Sequence, residues 1–349
     1  MSKQFNLAIV GLGGMGNWHR ETIGRIDNLN VCGSFDIKEE RQQFAIDHGI
    51  TPYNSLEELL ADEKVDIVLC STPNHLHKEI VIKALRAGKN VVCEKPVTLS
   101  SKDLQEMIDV AEETKKVFVV HQNRRWDEDF LTMKKIYDDN LLGDVFKIES
   151  RVHGSRGIPG DWRQEPEFGG GMVLDWGVHI LDQALLMIDS KVKTVYANFT
   201  HVTNELVDDG FTVVLTFENG IVYTLEVGTS NFINLPRWYM LGRDGTAIIY
   251  DWQKNGKVTR ITDWSKNDAV PIRTAAGLTK TMAPRTADTI KDEELPIVKS
   301  DIRDFYRNVM ATIEGKEEII VKNTQVMRVM KLMEAIFDSA AKNQVIDFE

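Results

Sequence analysis

The chain has 349 residues, 42% hydrophobic and 27% charged, a balance typical of globular proteins and a length that predicts two domains. Its 42 Lys and Arg against 53 Asp and Glu leave a formal net charge of −11, which excludes a protein that works on nucleic-acid phosphates or anionic membranes. Three cysteines, Cys32, Cys70 and Cys93, are too few and scattered for a disulfide framework or a metal cluster, and no apolar run approaches the ~18 residues of a spanning helix.

In chain order, Phe5 to Val10 reads as a strand and Gly14 to Ile26 as a helix. A strand from Val31 to Phe35 follows, then helices over Glu39 to His48 and Leu56 to Ala61. A strand from Val65 to Ser71, a helix from His75 to Ala87, a strand from Asn90 to Cys93, a helix from Ser101 to Lys115 and a strand from Val117 to Val120 complete the first third. Ser55, with Glu58 three residues on, and Ser101 are expected N-caps; Gly49 and Gly88 are expected to close helices in left-handed backbone. Strands alternating with helices imply βαβ units and a parallel, doubly wound sheet. The cysteines fall at these strands, so they are expected to be buried and reduced, which suits the cytoplasm. The absence of a long apolar segment before Gly11 speaks against a signal peptide.

From Gln122 the texture changes. Trp126 to Asn140 reads as one long helix and Gly171 to Ile188 as another. Alternating runs at Val145 to His153, Val192 to Val202, Gly210 to Phe217, Ile221 to Gly228, Arg237 to Leu241 and Thr246 to Asp251 predict a large, open, mainly antiparallel sheet. The signal Glu218-Asn219-Gly220 marks a hairpin between two of them. Thr262 to Leu295 reads as a polar loop, and helices over Asp301 to Glu314 and Asn323 to Lys342 close the chain, expected to pack back across the domain boundary. The open sheet face is expected to be covered by another copy of the chain, as a homodimer or homotetramer.

Gly11-Leu12-Gly13-Gly14-Met15-Gly16 fits G-x-G-x-x-G between the first strand and the first helix. The first glycine permits the tight turn, the second lets backbone approach a pyrophosphate, and the third lets helix pack on strand. Asp36, beside Ile37, lies 20 residues after Gly16, where a carboxylate binds adenosine ribose hydroxyls and repels a 2′-phosphate. NAD is therefore favoured over NADP, although Lys38 and Arg41 lie near enough to accommodate a phosphate.

Ser71-Thr72-Pro73-Asn74-His75-Leu76-His77 after the third strand, and Cys93-Glu94-Lys95-Pro96 after the fourth, resemble the glucose–fructose oxidoreductase, inositol dehydrogenase and rhizopine catabolism (Gfo/Idh/MocA) family. So do Asn123-Arg124-Arg125-Trp126, the Gly169-Gly170-Gly171 run leading to Asp175, Gly177, His179 and Asp182, and Asp304-Phe305-Tyr306. The Asn-Arg-Arg-Trp-Asp run is similar to that of bacterial scyllo-inositol dehydrogenases, some of which use NADP; Asp36 departs from that part of the match. The resemblance implies a Rossmann domain, taken as residues 1–122, and an α/β substrate-binding and oligomerisation domain, residues 123–349. It implies oxidation of a secondary alcohol on a sugar or cyclitol. It also implies that Ser71, Thr72, Pro73, Asn74 and His77 flank the cofactor, that Glu94, Lys95 and Pro96 sit at the nicotinamide ribose, and that Asn123 lies near nicotinamide and substrate. Trp162-Arg163 resembles a pair that reaches the cofactor from the second domain.

Alcohol oxidation needs a proton acceptor and a group that stabilises the developing oxyanion. Lys95, Asp175 and His179 are the catalytic candidates. Asp175 and His179, four apart, share a helix face, so Asp175 is expected to orient the imidazole or bind a substrate hydroxyl, with Asp182 a second partner for His179. Whether Lys95 or His179 takes the proton stays open. Substrate contacts are expected from Lys95, Asn123, Arg124, His153, Trp162, Asp175 and His179; His121 is a further candidate, and His19 is placed along the cofactor loop. Trp162 is preferred to Trp176 as an apolar wall. Arg156 and Arg163 leave an acidic sugar open. Two rivals are an NAD-retaining, redox-assisted glycosidase or lyase of the same fold, and a non-catalytic NAD-linked sensor.

Overall fold

The computed structural model describes residues 3–266 and 269–349. The first sheet is parallel and six-stranded, built from β1 (Phe5–Val10), β2 (Leu29–Phe35), β3 (Thr51–Pro52), β4 (Ile67–Cys70), β5 (Asn90–Cys93) and β6 (Phe118–Val120) in the order β3-β2-β1-β4-β5-β6. Between them run α1 (Gly14–Ile23), α2 (Glu39–Asp47), α3 (Leu56–Ala61), α4 (His77–Arg86) and α5 (Ser101–Thr114). β4 and β6 are buried along their whole length, and β1 and β5 at every residue but the half-buried Asn6 and Asn90, which is why these strands are almost continuously apolar. The register pairs Val10 with Cys70, Cys70 with Cys93 and Cys93 with Val120. Four strands thus end level, and their next residues, Gly11, Ser71, Glu94 and His121, emerge along one edge, where the strand order reverses between β1 and β4.

Ser55 caps α3 as expected, accepting the Glu58 N–H at 3.0 Å, and Gly49 and Gly88 adopt φ of +71° and +79°. Ser100, rather than Ser101, caps α5: its backbone is extended and its hydroxyl accepts the Asp103 N–H. Of the cysteines, Cys70 and Cys93 are buried and Cys32 is half-buried; all three are free thiols.

Both long helices expected in the second half are broken. A 3₁₀ turn, Asn123–Trp126, ends at Asp127, which is extended, accepts from the Arg124 side chain at 2.9 Å and precedes α6 (Glu128–Asp138). The block around residue 175 opens as one wide π turn, Val173–Gly177, before α7 (Val178–Met187).

The second sheet has nine strands: β7 (Val145–His153), β8 (Val192–Thr200), β9 (Gly210–Phe217), β10 (Val222–Gly228), β11 (Trp238–Gly242), β12 (Gly245–Ile249), β13 (Gly256–Ile261), β16 (Ile290–Glu293) and β17 (Ile346–Asp347). β14 (Ile272–Thr274) and β15 (Gly277–Thr279) form a separate hairpin. Every pairing in the large sheet is antiparallel except β7 with β10. The expected polar loop after Thr262 therefore contains strands. Its edge is held by charge, Lys257 to Asp292 at 2.7 Å and Arg260 to Glu293 at 2.9 Å, so apolar alternation did not mark it. One face packs on α6, α7 and the last helix; the other carries half-buried Glu149, Arg151, Glu226 and Tyr239.

The last helices, α8 (Arg303–Ile313) and α9 (Asn323–Lys342), return to the first sheet's helices. Arg303 donates to Arg25 O, Ser101 donates to Glu334, and Tyr306 reaches His19. No helix of the described residues is long and apolar enough to cross a membrane.

Candidate active site

The glycine loop is built as a backbone cradle. Gly11 has φ +89°, and a Cβ there would lie 2.8 Å from Ser71 O. A Cβ on Gly16 would lie 2.3 Å from Gly11 O, whereas Cβ atoms on Gly13 or Gly14 would meet nothing within 4 Å. α1 opens at Gly14 behind Gly13, which offers no capping side chain, so its first amides are left for an anion. Ser71 fixes the loop, its hydroxyl donating to Gly11 O at 2.7 Å. Asp36 accepts from Leu12 N at 2.8 Å and Lys38 N at 3.0 Å, which brings a carboxylate against the loop, with Ile37 exposed beside it. These residues fit a dinucleotide whose diphosphate rests on amides and whose ribose hydroxyls meet Asp36.

Two residues expected to flank the cofactor face inward instead. His77 is fully buried, its ring nitrogens 2.8 Å from Thr72 O and 3.0 Å from Pro96 O, so it ties the loop after β4 to the loop after β5. Asn74 is buried and donates to Gly169 O at 3.1 Å, joining the first half to the glycine run before the π turn. Glu94 is the third such case. Its Oε1 lies 2.7 Å from His19 Nε2 and 2.7 Å from His121 Nδ1, and its Oε2 accepts the Lys95 N–H at 3.1 Å. His19 and His121, placed by sequence near the cofactor and the substrate, are fully buried.

Lys95 points the other way, toward the second half. Its ammonium donates to Asp175 O at 3.0 Å and Asp175 Oδ1 at 3.2 Å, and Arg163 Nε lies 3.3 Å from Asp175 Oδ2. Burial opposes ionisation of Asp175, but Lys95 and Arg163 hold its carboxyl below the usual range. The expected Asp175–His179 pair does not form, because the π turn hands Asp175 to Lys95. Nor does Asp182 serve His179: it takes a bidentate pair from buried Arg125 at 2.6 and 2.7 Å. His179 is left with Nδ1 buried and without a hydrogen-bond partner among the described residues. Burial, with the charges of Lys95 and Arg124, holds its imidazole well below the usual histidine range, so it is neutral.

Beside this cluster lies a cavity of about 540 Å³ lined by Arg124, His153, Asp175, Trp176 and Trp252 among others. Arg124 stacks on Trp176, 4.1 Å from its centroid, and Trp252 flanks both. His153 is a wall whose polar atoms are spent: Nε2 lies 3.0 Å from Glu226 and Nδ1 accepts the Leu235 N–H. Asn123 Oδ1 is buried and has no hydrogen-bond partner among the described residues. Trp162 packs beneath the Arg163 guanidinium, while Trp176 and Trp252 supply the aromatic walls, reversing the sequence expectation. Trp252 sits in the turn after β12 and carries no local motif. Arg156 is exposed.

Two family models match the chain: an oxidoreductase family with an NAD-binding Rossmann fold over residues 5–122, and a GFO/IDH/MocA C-terminal domain over residues 130–248. A crystal structure of an NAD-binding protein from Listeria innocua is 50% identical, with a TM-score of 0.96 over 99% of each chain. An uncharacterised oxidoreductase of Schizosaccharomyces pombe is 31% identical across 85% of both chains. The scyllo-inositol 2-dehydrogenase (NADP(+)) of Bacillus subtilis is 28% identical, covering 85% of this chain and 82% of its own.

Proposed function

The chain belongs to the Gfo/Idh/MocA oxidoreductase family, and from that premise we propose that it oxidises a secondary alcohol of a cyclitol or sugar with NAD. The observation that carries this reading is the Lys95–Asp175 pair together with a neutral His179, whose Nδ1 has no hydrogen-bond partner among the described residues, beside an aromatic-walled cavity. Aromatic faces suit the C–H face of a ring, and the polar groups between them suit its hydroxyls.

When bound, the nicotinamide accepts the hydride. His179 takes the hydroxyl proton on its neutral imidazole, as a general base whose proton-free form is the resting one at neutral pH. Lys95, steadied by Asp175, donates a hydrogen bond to the oxygen as charge develops on it. Arg163 keeps Asp175 ionised, and Arg124 with Trp176 and Trp252 holds the ring. Asp36 favours NAD, unlike the Bacillus relative, whose name specifies NADP.

In this reading residues 1–122 hold the cofactor and residues 123–349 the substrate. The uncovered sheet face bearing Glu149, Arg151 and Tyr239 joins copies into a homodimer or homotetramer, which sedimentation of a monomer would refute. The free thiols suit the cytoplasm. The deciding experiment is a panel of inositols and sugars assayed with NAD and with NADP. Reduced cofactor should accumulate with at least one polyol, and faster with NAD. Tight NAD binding without turnover of any polyol would overturn the reading.

A further inference from the structure

Behind the catalytic lysine lies a buried hydrogen-bonded chain that links four elements. Glu94 follows β5, His121 follows β6, His19 lies on α1 three residues after Gly16, and Tyr306 lies on α8. All four are buried. Tyr306 Oη is 2.5 Å from His19 Nδ1, His19 Nε2 is 2.7 Å from Glu94 Oε1, and His121 Nδ1 is 2.7 Å from that same oxygen.

Burial opposes ionisation of Glu94, yet the charge and hydrogen bonds of His121 and His19 hold its carboxyl well below the usual range. An ionised carboxylate only accepts, which settles the tautomers. His19 donates from Nε2, and burial holds that imidazole down to about 4, so it is neutral and its Nδ1 is bare. The Tyr306 phenol, kept protonated by burial, therefore donates to Nδ1. His121 donates from Nδ1, leaving Nε2 without a partner among the described residues. The second carboxylate oxygen, Oε2, accepts the Lys95 backbone N–H at 3.1 Å. Donors thus converge on one buried carboxylate, and one of them is the peptide that carries the Lys95 side chain.

We propose that Glu94 is a positioning residue for the reaction proposed above, held by His19, His121 and Tyr306, and that it fixes the Lys95 backbone and sets a buried negative charge behind the reaction centre. The inference rests on the dehydrogenase reading for its kinetic consequences only. The groups that act electrostatically on His179 include Lys95 after β5, Arg124 in the 3₁₀ turn, Glu94 and His121. Of these, Glu94 favours the protonated imidazole, against Lys95, Arg124 and His121. The same anchor grips α1 through His19, so the helix that receives the diphosphate and the lysine that meets the substrate oxygen are referenced to one point.

The test compares the wild type with Glu94→Gln and Glu94→Asp, using the intact chain. In Glu94→Gln, kcat should fall about tenfold to a hundredfold, as expected for a misplaced reactive group. The polyol KM and the NAD Kd should stay within about threefold. The acid limb of the kcat/KM profile should move to lower pH, because a negative charge that favours the protonated base is gone. Glu94→Asp keeps the charge, so the limb should stay in place while kcat falls less. Amide hydrogen exchange at Lys95, read without substrate, should accelerate about tenfold in Glu94→Gln. Loss of thermal stability with an unchanged pH profile and unchanged exchange at Lys95 would overturn the proposal. So would a large rise in NAD Kd with kcat intact, which would make Glu94 a cofactor contact. A wild-type protein that turns over no polyol would refute the dehydrogenase reading, and the exchange measurement would still decide the anchoring.

Discussion

Replacing Lys95 with Met removes the ammonium while keeping most of the stem, and the structure separates its two costs. The Lys95 and Asp175 side chains are each 16% exposed, 3.2 Å apart. Breaking a fully buried pair costs about 3–5 kcal/mol, and an exposed pair is worth about 0.2–1 kcal/mol. Arg163 remains 3.3 Å from the other carboxylate oxygen, so Asp175 is not stranded. The loss of folding stability should therefore be about 1–2 kcal/mol. Catalysis loses more, because removing one donor to a developing oxyanion costs about 3–4 kcal/mol, or a hundredfold to a thousandfold in kcat. Because Lys95 and Arg163 depress the Asp175 pKa, the stability this carboxylate contributes is present above its unfolded value near 4 and is lost as pH falls through its folded value. The gap between wild type and variant should thus shrink below about pH 4. Urea unfolding at several pH values, steady-state kinetics with the best polyol, and NAD titration read the three quantities separately. A variant keeping a third or more of wild-type kcat, or one that loses NAD binding, would refute the role given to Lys95.

Gly16→Ala places a Cβ 2.3 Å from Gly11 O, so α1 must shift from the cradle; NAD affinity, read by titration calorimetry, should fall at least about tenfold, and unchanged affinity would count against the cradle. Asp36→Ser removes the carboxylate beside Leu12 N and should raise the NADP-to-NAD ratio of kcat/KM by about tenfold or more; an unchanged ratio would take Asp36 out of cofactor choice. Asp208 is buried, accepts the Val173 N–H at 2.7 Å at the entry to the π turn, and is pushed up to about 7 by burial against the pull of that amide. Between pH ~4 and ~7 the folded chain holds a proton that the unfolded chain has released, so this group's contribution is full below pH ~4 and lost as pH rises through ~7. Asp208→Asn removes that dependence: relative to wild type it should gain about 3–4 kcal/mol between pH 4 and pH 9, and parallel urea midpoints across that range would contradict the assignment.

The parts of the fold and site that were readable from sequence rest on short-range physics. Glycines at 11, 13 and 16, a helix beginning at Gly14 and the hairpin glycine at φ +88° on Gly220 each follow from what backbone can do locally. Lys95 was expected at the cleft from the Glu-Lys-Pro run after a buried strand, and its ammonium reaches Asp175, a residue of the cavity wall. Glu94 was placed there too, and the two-residue period of extended chain was the overlooked signal: neighbours leave a strand end on opposite sides, so a cleft-facing Lys95 implies an inward Glu94. Inward at that point means toward α1, β6 and α8, which is why His19, His121 and Tyr306 had to be found there as well.

The pairing of Asp175 with His179 failed for a different reason. It assumed 3.6 residues per turn, whereas the chain takes a π turn over Val173–Gly177. The wider turn rotates Asp175 off the imidazole, and Lys95 and Arg163 capture its carboxylate from two other segments. Nothing in Val-Leu-Asp-Trp-Gly announces this locally. What sets it is long-range: Asp208 holds Val173 N from 35 residues away and would meet any Cβ on Gly171 at 2.3 Å. Gly171, the last of the three glycines, is therefore chemically silent and still bears on the chemistry, because a Cβ there would collide with the Asp208 carboxylate that holds Val173 N at the entry to the wide turn carrying Asp175.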